Sequence, residues 1–165
     1  MYDIKLRESY FPAKQDQTVT LHTIGTLLEK MASDSLGEAL VEVTQAGEVG
    51  RRWSYKELYQ DRLKLAYALN SRFEKGAHIV VWSPNSPEWV LMEYAAAIAG
   101  LVVVTANPAL QTNELRYIIE QSQAVALFLV PKFRGNPMME IAGKAVTGNS
   151  AVTEVTCLYD SEALY

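Results

Sequence analysis

From Gly76 onward, short β-branched runs alternate with helical stretches: His78 to Trp82, Pro87 to Ala99, Leu101 to Thr105, Thr112 to Gln121 and Ala124 to Val130. Apolar strands separated by helical patterns of about 10–15 residues leave no room for hairpins between them and predict parallel pairing. Right-handed crossovers then lay helices over both faces of the sheet, which is why its strands carry continuous apolar side chains. A weaker helical stretch at Met138 to Val146 and a last strand at Val152 to Leu158 extend the series. The pattern therefore predicts an α/β fold with a mostly parallel sheet covered on both faces.

The upstream part obeys other periods. Ile24, Leu27, Leu28 and Met31 follow the spacing of one buried helical face, which places a helix near Thr23 to Met31. Ala39 to Thr44 alternates as a half-buried strand does, Ala46 to Glu48 turns, and Val49 to Trp53 returns, so a hairpin is expected. Ser54 and Glu57 stand three apart before an apolar-periodic run, the spacing by which a hydroxyl and a carboxylate each satisfy the other's backbone N–H. The helix they open is expected to bury Leu58, Tyr59, Leu63, Ala66, Leu69 and Phe73 and to keep Lys56, Gln60, Asp61, Lys64 and Arg72 wet. Residues 1–22 read as an N-terminal arm whose Tyr10, Phe11 and Pro12 either pin it to a surface or belong to a loose terminus.

Composition narrows the function classes. With 49% apolar residues, 21% charged residues and a formal net charge of −4, the 165-residue chain can build a core and lacks the basic face of an electrostatic nucleic-acid binder. One cysteine, Cys157, and two histidines, His22 and His78, assemble neither an internal disulfide nor a Cys-based zinc knuckle, and a cytoplasmic location is the expectation. The uncharged run from Tyr94 to Ala106 falls short of the ~20 residues of a spanning helix and is broken at Gly100, so no membrane span is expected. The first residues, with charges scattered among aromatics, lack the apolar centre of a signal peptide.

In open α/β sheets, ligands sit beyond the carboxyl ends of the strands, which points to Ser83 to Ser86, Ala106 to Gln111 and Pro131 to Asn136. Ser86-Pro87 is explained by helix capping and a first-turn proline alone. Asn107-Pro108, with Thr112 or Asn113 as a cap and Glu114 near the helix start, could set backbone N–H groups beside an anion. Arg134, with Lys132 nearby, carries a guanidinium able to grip a phosphate through two bonds, although an exposed arginine is more often merely solvated. There is no G-x-G-x-x-G and no G-x-x-x-x-G-K-[ST]; Gly143-Lys144 is followed by Ala145 and lacks the earlier glycine. No serine lies in a G-x-S-x-G elbow, no carboxylate pair is set apart for acid and base roles, and Cys157 reads as a buried, inert thiol.

Three stretches acquire meaning through their joint order. Trp53-Ser54-Tyr55-Lys56-Glu57-Leu58 resembles the first core motif of the AMP-forming adenylating enzymes, the superfamily of acyl-CoA synthetases, luciferases and peptide-synthetase adenylation domains. Ala96-Ala97-Ile98-Ala99-Gly100-Leu101-Val102-Val103-Val104 resembles their second, and Trp82-Ser83-Pro84-Asn85-Ser86-Pro87-Glu88-Trp89 is similar to the segment between them. The likeness runs from about Thr23 to Arg134 and, through Asn107-Pro108 and Glu114-Leu115, is similar to the branch acting on fatty and related carboxylic acids.

The resemblance implies that residues 23–165 are the N-terminal portion of an adenylating domain, ending before the phosphate loop, in a chain that is not catalytic alone. It implies ATP, magnesium and coenzyme A as cofactors of the parent enzyme but none held within these residues, no catalytic residue here, and the remainder of the enzyme as the partner. A carboxylic acid would be the substrate, and a homodimer through uncovered apolar surface is a further expected partnership. It also implies that the nucleotide end of coenzyme A docks over Thr105, Ala106 and Arg134, although the family's glycine-rich version of the first loop is replaced here by Val104-Thr105-Ala106-Asn107. The alternative is a self-standing α/β small-molecule-binding or protein-interaction module.

Overall fold

A computed structural model describes residue 16, residues 20–44 and residues 46–165; the aromatic arm around Tyr10 lies outside the described residues. Helix α1 (Ile24–Asp34) precedes a two-stranded antiparallel hairpin, β1 (Glu38–Val43) and β2 (Val49–Ser54), which runs directly into α2 (Tyr55–Asn70). Then come β3 (His78–Trp82), α3 (Pro87–Ala99), β4 (Val102–Ala106), α4 (Thr112–Ser122), β5 (Ala126–Leu129), α5 (Met138–Val146), β6 (Glu154–Cys157) and a short α6 (Ser161–Leu164). The last helix was not expected from the sequence; Asp160 opens it by accepting from the Ala163 N–H at 3.1 Å.

The four later strands are parallel in the order β4-β3-β5-β6. Their register brings the ends flush: Trp82 lies opposite both Ala106 and Leu129, and Leu129 opposite Cys157. From β3 the chain steps one way to β4, then crosses back over β3 to β5. Right-handed crossovers therefore put α3 on one face, where α1 and α2 pack on it, and α4 and α5 together on the other. Between them, Ile79, Val80, Trp82 and residues 126–129 are essentially inaccessible to water.

Local chemistry explains the joints. The Ser54 N–H donates to the Glu57 carboxylate at 2.8 Å and the Glu57 N–H to the Ser54 hydroxyl, closing the expected capping box; these bonds hold the Glu57 carboxyl below its ordinary range. At the end of α3, Gly100 adopts φ 72°, and the Leu101 N–H reaches back to the Ala96 carbonyl at 2.9 Å. A side chain there would have to adopt a left-handed backbone and would also meet Lys75 at 2.9 Å, so glycine is what lets a buried helix turn at once into a buried strand.

Along α2 and just beyond it, the structure departs from two expectations. The buried stripe passes through Leu58, Arg62, Leu65, Ala66 and Leu69, while Tyr59 and Leu63 are only half-buried. Arg62 takes a position that apolar patterning excluded: its guanidinium stacks 4.3 Å from the Tyr59 ring and donates to the Gly25 carbonyl, and burial pulls its pKa down. Arg72 is not wet either. It pairs with Glu154 at 2.8 Å and donates to the carbonyls of Ala163 and Leu164, fastening α6 to the turn that follows α2.

Candidate functional site

The topological switch lies between β3 and β5, where the chain leaves neighbouring strands in opposite directions and a crevice opens beyond their carboxyl ends. Three loops surround it: 83–86 after β3, 107–111 after β4 and 130–137 after β5. The first is committed to the scaffold. Ser83 is buried, the Ser86 hydroxyl accepts from the Trp89 N–H at 3.2 Å, and Pro87 opens α3, as capping alone requires.

The second loop is pulled across the top of β3. The Trp82 indole N–H donates to the Asn107 carbonyl at 2.8 Å, and the Asn107 side-chain oxygen accepts from the Ala109 N–H at 2.9 Å. The expected cap at Thr112 or Asn113 moves back to Gln111, because the Glu114 carboxylate captures the Gln111 N–H at 2.9 Å. Asn107 thus spends its side chain on a turn within its own loop.

Of the residues singled out in the sequence, Thr105 is exposed and Ala106 buried at the end of β4, which is an edge strand, and Arg134 is exposed in the third loop. Phe133 to Asn136 is a tight two-residue turn: the Phe133 N–H donates to the Asn136 carbonyl at 3.1 Å and the Asn136 N–H back to Phe133 at 2.7 Å. Both central residues have positive φ, 46° at Arg134 and 83° at Gly135, and the guanidinium lies 5.1 Å from the Phe133 ring. The turn is joined to the 107–111 loop through the Asn136 side chain, a residue the sequence reading did not single out. The strand end carrying Thr105 and Ala106 and the turn carrying Arg134 are therefore linked through adjoining loops.

The remaining candidates are structural. His78 donates from Nδ1 to the Ser122 carbonyl, and Cys157 is half-buried rather than fully enclosed, because β6 is the other edge of the sheet. Among the described residues, no three His, Cys, Asp or Glu side chains converge to hold a metal, and no helix is long and apolar enough to cross a membrane.

Comparison with known proteins supplies the family context. The model for the AMP-binding enzyme family matches residues 34–164. The medium-chain acyl-CoA ligase ACSF2, mitochondrial, of Mus musculus is 30% identical over 135 residues, covering 81% of this chain and 21% of that protein. Its Homo sapiens counterpart is 33% identical over 128 residues, covering 76% of this chain and 20% of that protein. The chain thus spans about a fifth of the length of these curated relatives. Among solved structures, the N-terminal domain of FACL13 from Mycobacterium tuberculosis is similar with a TM-score of 0.71 at 25% identity, covering 87% of this chain and 35% of that one. VinN shares the fold, with a TM-score of 0.69 at 21% identity over 87% of this chain and 33% of its own.

Proposed function

The chain belongs to the AMP-binding enzyme family, and on that premise we propose that residues 23–165 form framework of an ATP-dependent, AMP-forming acyl-CoA synthetase and do not catalyse alone. In that reaction a carboxylate attacks ATP, giving an acyl-adenylate and pyrophosphate, and the thiol of coenzyme A then takes the acyl group and releases AMP. The part proposed for these residues is to receive the nucleotide end of coenzyme A. The observation that carries it is the linkage of the β4 end to the Arg134 turn at the carboxyl edge of the sheet, on the loops where open α/β folds accept ligands.

Thr105 offers a hydroxyl at the strand end, Ala106 a short side chain beneath the loop, and Arg134 a guanidinium able to make paired, charge-assisted bonds to a phosphate. Magnesium finds no fitting cluster among the described residues, so no step is assigned to it here. The carboxylic acid, ATP and the rest of the enzyme belong to the proposal as substrate and partners of the whole protein, and a cytoplasmic location remains part of the same reading. Of the α1 face expected to be buried, only Leu28 is; Ile24 and Leu27 stand exposed, as does Leu36 just after the helix, which favours a framework with surface to cover, by a second copy or by the rest of the enzyme, over a self-standing module.

The test uses the 165-residue chain. With ATP, magnesium and a fatty acid, no pyrophosphate is expected, whereas adenosine 3′,5′-bisphosphate should bind in equilibrium dialysis and Arg134→Ala should weaken it about tenfold. Pyrophosphate release by this chain, or bisphosphate affinity indifferent to Arg134, would overturn the reading.

A further inference from the structure

Arg134 occupies a backbone conformation that its side chain disfavours. At the first central position of a two-residue turn, a positive φ is normally supplied by Asn, Asp or Gly, and an arginine there persists only when the surroundings hold it. Backbone bonds between Phe133 and Asn136 close the turn, and the neighbouring loop is tied to it by the Asn136 side chain. Its Nδ2 donates to the carbonyls of Pro108 at 3.1 Å and Leu110 at 3.3 Å, and its Oδ1 accepts from Gln111 Nε2 at 3.0 Å. An asparagine amide has two donors and one oxygen acceptor, and here all of these contacts go to the loop after β4 and none to its own turn.

We infer that Asn136 is a positioning residue that locks the Arg134 turn to the loop after β4 and so fixes where the guanidinium stands relative to the end of that strand. The inference rests on the docking reading for its functional meaning, but the lock itself needs no ligand. The two carbonyls, one residue apart in the loop, take their hydrogen bonds from this side-chain amide, and losing the amide leaves them to water. The turn and the loop would then move independently, and an arginine in a disfavoured conformation would relax away from its present place.

Two measurements separate the lock from the docking. In hydrogen exchange on the full chain, Asn136→Ala should speed exchange at the Ala109 and Leu110 amides, in the partner loop, about tenfold. Gln111→Ala, on an exposed side chain, removes the contact to Oδ1 and a longer bond to the Ala109 carbonyl at 3.4 Å while leaving both Asn136 donors in place, and should speed the same amides only about threefold. In a double-mutant cycle read by adenosine 3′,5′-bisphosphate binding, Arg134→Ala should cost about tenfold in the unsubstituted chain and less than twofold in Asn136→Ala, because the arginine is already displaced there. Unchanged exchange at Ala109 and Leu110 in both variants would overturn the inference, as would additive losses in the cycle. Faster exchange together with no bisphosphate binding by the unsubstituted chain would support the lock and overturn the docking reading alone.

Discussion

The central strands, apolar along their length, and the N-terminal hairpin, which alternates apolar with charged residues, are held by different forces. In β3 and β5, Ile79, Val80, Val81, Phe128 and Leu129 have relative exposures of 1% or less, and exclusion of water fixes them from both faces. In the hairpin, Trp53 is buried and Ala39 and Leu40 are half-buried against the core, but Val41, Val43 and Val49 are exposed, and an ion pair ties the hairpin to α3. The Arg51 guanidinium donates to Glu42 at 2.8 and 3.0 Å, pairs with Glu88 at the start of α3 at 2.6 Å, and stacks over Trp53. Those bonds hold the Glu42 carboxyl below its ordinary range and push the guanidinium further toward its charged form. The sheet is therefore expected to respond little to salt, and the ionic contacts of the hairpin to weaken in it, because exposed ion pairs are screened while buried apolar area is not.

The contrast is broken most severely by Phe128→Ala, which empties the middle of β5 where Phe128 meets Phe73 edge to face. About 3–5 kcal/mol should be lost in urea unfolding, with little dependence on salt. Arg72→Ala tests the intermediate case, a largely buried ion pair that also satisfies two carbonyls of α6. About 2 kcal/mol should go, together with exchange protection at the Leu164 and Tyr165 amides. Arg51→Ala should cost about 0.5 kcal/mol at low salt and nothing measurable in 1 M salt, since its side chain is 53% exposed. Glu57→Gln sharpens the comparison through pH. The folded pKa of Glu57 is depressed, so its contribution is present above the unfolded value of about 4.3 and lost as pH falls through the folded value. The substitution should flatten that part of the acid-unfolding curve and leave the neutral range shallow.

What was legible in the sequence follows the same division. Strands buried on both faces announce themselves as unbroken apolar runs, and caps such as Ser54 with Glu57 act over three residues, so sheet, crossovers and joints could be read directly. Arg62 was missed because its long side chain takes a core position by stacking on Tyr59, which no hydrophobicity pattern registers. Arg72 was misread because its acidic partner lies 82 residues downstream. At the candidate site, Arg134, Thr105 and Ala106 could be named from loop position and resemblance. Asn136 could not, since its role depends on carbonyls 26 and 28 residues away that only the folded loops bring within reach. The dipeptide Arg134-Gly135 between Phe133 and Asn136 was the one available hint, a glycine where a tight turn needs positive φ.

The carboxyl edge of the sheet is proposed as the face that meets a nucleotide. Amide chemical shifts of the isotope-labelled chain, followed while adenosine 3′,5′-bisphosphate is added, test that most directly. The expected map covers residues 105–111 and 133–136. Shifts confined instead to the recess at the opposite edge, lined by Gln123, Ala124, Thr147 and Asn149, would contradict it.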